Sequence, residues 1–370
     1  MNQSAPIPVL LLTRQLSLGG TERQVTNLAK SLDPNKFSAR VCCFHAGGIR
    51  QAEIEAAGVP VWILPVQSFW SPRTVVQAGS LFRYLVRERI ALVHSFSPAT
   101  TIFSTPIARL ARVPVVLSSS RAERALMRPR DAHLVRITDR WVDAIVTNCE
   151  HLRQELLLEQ TAAKAIHICG NGIDLDEFNA TSQSRPPLVG TLSVLRPEKN
   201  LGILVEAFGR IHTLYPNARL QIVGSGPLSE ALAQQAALSG LGDAFDLIGS
   251  SPHPAEHFRK FRIFVLPSQS EGLSNSLLEA MACGCAVIAS RAGGSKELIR
   301  HGENGMLFDL GDADQLASLL KQLLGDEDLC RRLGDAAART IRQEFSLSAS
   351  AKRLAEIYST HLATTPRKLR

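Results

Sequence analysis

The sequence predicts an α/β protein with a doubly wound, mostly parallel sheet in each half of the chain. Short apolar runs of strand length alternate with helical patterns from one end to the other, which calls for crossover connections and hence parallel pairing. Glycine turns stand between several of these strands and the helices after them. The 370 residues suffice for two domains with full cores, and 45% apolar against 20% charged residues is a soluble globular composition.

In the first half, Pro8–Thr13 is a buried-strand run, followed by Ser17-Leu18-Gly19-Gly20-Thr21-Glu22 and a helical pattern with Val25, Leu28, Ala29 and Leu32 on one face. Glycine removes the Cβ barrier and a helix start supplies N–H donors, so such a turn admits a phosphate or sugar. Further strands are expected at Ala39–Phe44, Val59–Leu64, Ala91–Ser95, Val113–Leu117, Ala144–Thr147 and Ala165–Ile168. Gly170-Asn171-Gly172-Ile173-Asp174 is a turn cluster running to Phe178, and Thr181–Pro187 reads as a linker. Residues 1–182 therefore form the first domain and 183–344 the second, with 345–370 as a terminal helix carrying Leu354, Ile357 and Tyr358 at helical spacing.

The second half repeats the pattern, with strands at Leu188–Val194, Arg219–Val223, Phe245–Ile248 and Ile263–Leu266. Its most informative stretch is Leu266–Glu297: strand end, glycine turn, helix, second strand, second glycine turn. Glu271 stands in the first turn beside Gly272, and Glu279 lies inside an apolar helix where an unpaired charge is costly to bury. One carboxylate thus faces a crevice and the other needs a polar partner. Taken singly, each also reads as an ordinary helix-start or solvated acid.

The net charge of +7 is concentrated towards the N-terminus: residues 1–185 hold 21 Lys and Arg against 15 Asp and Glu. Arg109, Arg112, Arg121, Arg124, Arg128, Arg130, Arg136 and Arg140 share a span with only Glu123, Asp131 and Asp139. Such a cluster suits a phosphorylated ligand or an anionic membrane surface, or is simply a set of solvated helix faces. No aromatic interleaving favours nucleic acid. Seven cysteines without a CxxC pair read as reduced core thiols, and the lone Cys283-Gly284-Cys285 as packing, not metal binding. No apolar run is long enough to span a membrane, and no secretory signal is read.

Pro267-Ser268, Glu271-Gly272, Glu279-Ala280, Gly284 and Gly293-Gly294 with Glu297 together resemble the donor-site motif of the retaining family 4 glycosyltransferases, including its paired glutamates with seven residues between. Gly19-Gly20-Thr21-Glu22 is similar to the family's GGxE loop, Asn171–Phe178 to its exit from the first domain, Arg196 and Lys199 to its RxxK pair, and Gly224-Ser225-Gly226-Pro227 to its GxGP loop. The resemblance implies a GT-B fold, two Rossmann-like domains facing across a cleft with the terminal helix packed back on the first. It implies a sugar taken from a nucleotide-linked donor, expected to be UDP- or GDP-linked and used without metal, and given to a hydroxyl acceptor; the arginine cluster adds the expectation of a glycan or lipid-linked acceptor at the cytoplasmic face of the membrane.

In that scheme Glu279 accepts from the ribose and Glu271 holds the transferred sugar. Arg196 and Lys199 neutralise the diphosphate, and the backbone of Gly272, Leu273 and Ser274 adds contacts, with Gly19, Gly20, Gly224 and Gly226 lining the ligand. Asp312-Ala313-Asp314 opens a late helix and is no diphosphate-metal pair. The family's histidine at the end of the first domain's fifth strand is missing from Val115–Arg121. Arg121 and His94 are the candidates for its role. Two other readings fit the same architecture: a nucleotide-sugar 2-epimerase, and a non-catalytic sugar-nucleotide or membrane-binding scaffold.

Overall fold

The computed structural model describes residues 5–69, 71–180 and 184–364. They divide into two compact units, the first comprising the chain to Gly172 with the chain from Leu347 on, the second Ile173–Ser346. The expected domain boundary at 182–183, and residues 181–183 of the expected linker, lie outside the described residues. The turn cluster itself is split: Gly172 exchanges two hydrogen bonds with the Gln24 side chain of the first unit, at 2.9 and 3.0 Å, whereas Ile173 N–H donates to Phe345 O at 2.9 Å in the second.

In the first unit, strands β1 (Ile7–Thr13), β2 (Phe37–Cys43), β3 (Val61–Ile63), β4 (Leu92–Ser95), β5 (Val115–Ser120), β6 (Ala144–Thr147) and β7 (Ile166–Ile168) form one sheet in the order β3-β2-β1-β4-β5-β6-β7. Every neighbouring pair is parallel. Along β1, Val9 and Leu11 belong to one apolar cluster and Leu10 and Leu12 to another, so both faces are covered and the strand reads as a continuous apolar run. Leu354, Ile357 and Tyr358 of the Leu347–Thr364 helix lie in the first of these clusters, Tyr358 with its ring edge on Phe37.

The second unit has six parallel strands, β8 (Leu188–Leu192), β9 (Arg219–Val223), β10 (Phe245–Ile248), β11 (Ile263–Leu266), β12 (Ala286–Ser290) and β13 (Met306–Phe308), ordered β10-β9-β8-β11-β12-β13. The three-residue β13 is not predicted from sequence; it is too short to show a period. All seven cysteines are free and buried, and burial pushes the Cys285 thiol up to about 11. Among the described residues no helix is long and apolar enough to cross a membrane.

Candidate active site

The strand order of the second unit fixes where a ligand can lie. From β8 the chain builds β9 and β10 on one side and β11 to β13 on the other, so the loops leaving β8 and β11 diverge and open a crevice at the carboxyl edge. Those loops, residues 193–200 and 267–274, carry Arg196, Lys199, Glu271, Gly272, Leu273 and Ser274.

They are tied together across the crevice. Lys199 Nζ donates to Glu271 Oε1 at 2.5 Å, Ser268 Oγ donates to the same oxygen at 2.9 Å, and Gln269 N–H donates to Glu198 O at 2.9 Å. Both side-chain bonds fall on Oε1, which among the described residues leaves the acceptor capacity of Oε2 for a ligand. Lys199 uses one of its three N–H donors here. Arg196 does not converge with it: its side chain is 61% exposed, 3.9 Å from Glu198.

Asn200 turns the β8 loop into the next helix with φ of +50°, a conformation asparagine tolerates better than most residues. Ser268 is fully buried, its carbonyl receiving Ser290 Oγ–H at 2.5 Å. Only its place in the motif marks it in the sequence, where nothing signals its contact with Glu271.

Behind Glu271 the second glycine turn closes in. Gly293 has φ of +49°, and a Cβ there would stand 1.7 Å from the Glu271 carbonyl oxygen, so no side chain fits. Gly294 N–H donates to Gly272 O at 3.1 Å. Glu279, one face of the Asn275–Ala282 helix inward, is only 3% exposed, which rules out the solvated reading of this residue. Gly272, Leu273 and Ser274 are buried at the start of that helix. On the other flank Gly224, φ +148°, packs so closely on the β8 loop that a Cβ would lie 1.8 Å from Ser193 O; at Gly226 it would lie 2.5 Å from Leu195 O.

In the first unit Gly19 is the N-cap of the Gly20–Ser31 helix, at the corresponding divergence of β1 and β4. A Cβ on Gly19 would meet Glu22 Oε2 at 2.2 Å. His94, at the end of β4, is fully buried, with Nδ1 hydrogen-bonded to Tyr358 Oη at 2.7 Å and Nε2 to Ser119 Oγ at 2.9 Å. Burial holds the imidazole well below its ordinary pKa, and Arg121 pushes it the same way. Both ring nitrogens of His94 are thus engaged inside the unit. Arg121 is half-buried, donates from Nη1 to Asn171 Oδ1 at 2.6 Å, and lies 5.4 Å from the Phe96 ring centroid; burial lowers its pKa.

Half of the arginine cluster is engaged by partners within the first unit, though only Arg124 is buried. Arg124 is buried on Asp139 (2.7 Å) and reaches Glu159 (3.2 Å), Arg136 also pairs with Glu159, Arg109 pairs with Asp143 at 2.7 Å, and Arg121 is held as described. Besides Asp139 within the span, the acids are Asp143 and Glu159 from further along the chain.

Two family models match, one described as Glycosyltransferase Family 4 over residues 18–177 and one as Glycosyl transferases group 1 over 173–340. The chain belongs to the family 4 glycosyltransferases. Among solved structures this family 4 glycosyltransferase resembles Anabaena HepE, crystallised with UDP-glucose, at a TM-score of 0.85 and 19% identity, covering 96% of this chain and 100% of that one, which shows the GT-B fold. Among curated relatives it is 27% identical to the sulfoquinovosyl transferase SQD2 of Arabidopsis thaliana over 80% of its length. It is 30% identical over 51% of its length to a GDP-mannose-dependent phosphatidylinositol monomannoside mannosyltransferase of Mycolicibacterium smegmatis. The chain spans 60% and 54% of the lengths of those two relatives.

Proposed function

We propose that this chain transfers a sugar from a nucleotide-diphosphate sugar to a hydroxyl acceptor, with retention at the anomeric carbon and without a metal, in the synthesis of a cell-envelope or exported glycan. The observation that carries the reading is the Lys199–Glu271–Ser268 cluster at the split of the second sheet. Glu271 Oε2 accepts from hydroxyls of the transferred sugar, while the remaining donors of Lys199 turn to the diphosphate with Arg196, which is exposed and unfixed enough to swing in. Buried Glu279 accepts from the ribose. The Gly224–Pro227 loop lines the nucleotide. The donor is UDP- or GDP-linked: the HepE structure holds UDP-glucose and the Mycolicibacterium relative is GDP-mannose-dependent.

The C1–O bond to the diphosphate breaks with its electron pair leaving on the phosphate. The acceptor oxygen bonds to C1 on the same face, and its proton passes to the departing diphosphate. No protein nucleophile is needed. Arg121, held beside Asn171, is the first unit's group for the reacting oxygens, and His94 has no direct contact. The acceptor is a glycan or a lipid-linked hydroxyl presented at the cytoplasmic face of a membrane.

The test is a panel of UDP- and GDP-sugars with EDTA present, followed by thermal shift and turnover. Saturation at about 100 times the dissociation constant raises stability by about 2.7 kcal/mol. Turnover that requires an added divalent ion overturns metal independence, and an epimer formed from donor alone overturns the transfer reading.

A further inference from the structure

The helix Pro72–Arg87 carries its apolar residues on the wrong side for a soluble protein. Its inner face is ordinary: Leu81 and Leu85 are buried, and Tyr84 stacks on Trp62 at 4.4 Å between centroids. On the outer face Val75 is 75% exposed, Val76 62% and Val86 52%, more apolar exposure than any other helix of the first unit concentrates. At 3.6 residues per turn Val75, half-buried Phe82 and Val86 fall in one row along the helix, and Val76, Arg83 and Arg87 in the row beside it.

The charge on this face has one sign. Arg73, Arg83, Arg87 and, just beyond the helix, Arg89 are exposed. The one acid of the segment, Glu88, is drawn inward, bonded to Arg40 at 2.6 Å and to Arg87 Nε at 2.9 Å. An apolar row beside a cationic row, with no exposed acid between, is the arrangement that lies flat in the headgroup region of an anionic bilayer. A second copy of the same face is a poor occupant, because it brings the same four guanidinium groups. In the arginine cluster at 109–140, which the sequence alone favours for such a contact, Arg109, Arg124 and Arg136 are paired with acids of the same unit.

We infer that the outer face of the Pro72–Arg87 helix docks the first unit on an anionic lipid surface, its valines entering the headgroup boundary and its arginines pairing with lipid phosphates. The surface shares no residue with the donor site, so the inference does not rest on the reaction proposed above and is testable without a donor.

The experiment is co-sedimentation of the full chain with vesicles of phosphatidylcholine alone or mixed with phosphatidylglycerol, with circular dichroism to check each variant's fold. The wild type pellets with the mixed vesicles, not with phosphatidylcholine alone, and less as salt is raised. R83E/R87E lowers the partition about tenfold or more, and V75S/V86S lowers it with the charge unchanged. R112E/R140E, in the other cluster, leaves it near the wild-type value. Wild-type protein that stays in the supernatant, as when the face serves a protein partner, overturns the inference. So does equal pelleting with neutral vesicles, or undiminished binding by R83E/R87E or V75S/V86S.

Discussion

Lys199 and Glu271, 72 residues apart in sequence, meet at 2.5 Å across the split in the second sheet. Their side chains are 22% and 12% exposed, so the pair is screened less than a surface ion pair, and loss of one partner strands the other in a partly desolvated crevice. A double-mutant cycle with Lys199→Ala and Glu271→Gln, followed by urea denaturation, should return a coupling of about 1 kcal/mol. Strictly additive effects would show that the contact contributes nothing.

Glu279→Ala should weaken UDP or GDP binding about 10- to 100-fold, the usual worth of hydrogen bonds to a charged group, while Glu279→Asp recovers part of it. Isothermal titration with the free nucleotide reads this without an acceptor. Wild-type affinity in the alanine variant would remove Glu279 from the ribose.

Gly293→Ala sets a methyl group against the Glu271 carbonyl at a backbone angle that favours glycine. The turn must shift, at a cost of about 1–3 kcal/mol, read as a lower urea midpoint. Because the shift moves the backbone of Glu271, donor affinity should fall with it. A stable variant with intact binding would mean that the turn yields without disturbing the site.

His94 is held neutral by burial, with its pKa well below the ordinary value in the folded chain and near 6.5 when unfolded. The unfolded state therefore takes up a proton first as pH falls. This stability is complete above about pH 6.5 and declines below it, by up to about 1.4 kcal/mol per pH unit, until the folded imidazole also titrates. His94→Gln should flatten the slope of stability between pH 6.5 and 5 relative to wild type; an unchanged slope would assign acid sensitivity to other groups.

Asp139→Ala leaves the Arg124 guanidinium buried with Glu159, among the described residues, as its remaining direct ion-pair partner. Breaking such a pair from one side costs about 3–5 kcal/mol, seen as a large drop in melting temperature. A loss below about 1 kcal/mol would mean that water reaches Arg124.

The fold was legible because both of its signals are local. Strand and helix periods are written within ten residues, and the glycine turns that mark strand ends, such as Gly19-Gly20 and Gly224–Pro227, are contiguous. The glutamate pair was legible for the same reason, the two being one turn and one short helix apart. What the sequence concealed depends on distant partners. Nothing near His94 announces Tyr358, and nothing between Arg109 and Arg140 announces Glu159. The apolar face of the Pro72–Arg87 helix looks in sequence like any core-facing stripe, since a pattern reports that a face is apolar and not which way it is turned.

The passage of the chain from the first unit to the second at Gly172, and back at Leu347, makes the second unit an insertion. During synthesis the ribosome completes that insert before Tyr358 has been made. Until the final helix emerges, the nascent first unit holds Phe37 without its ring partner and His94 without the hydroxyl at Nδ1. Of the two units, the first is thus completed after the second.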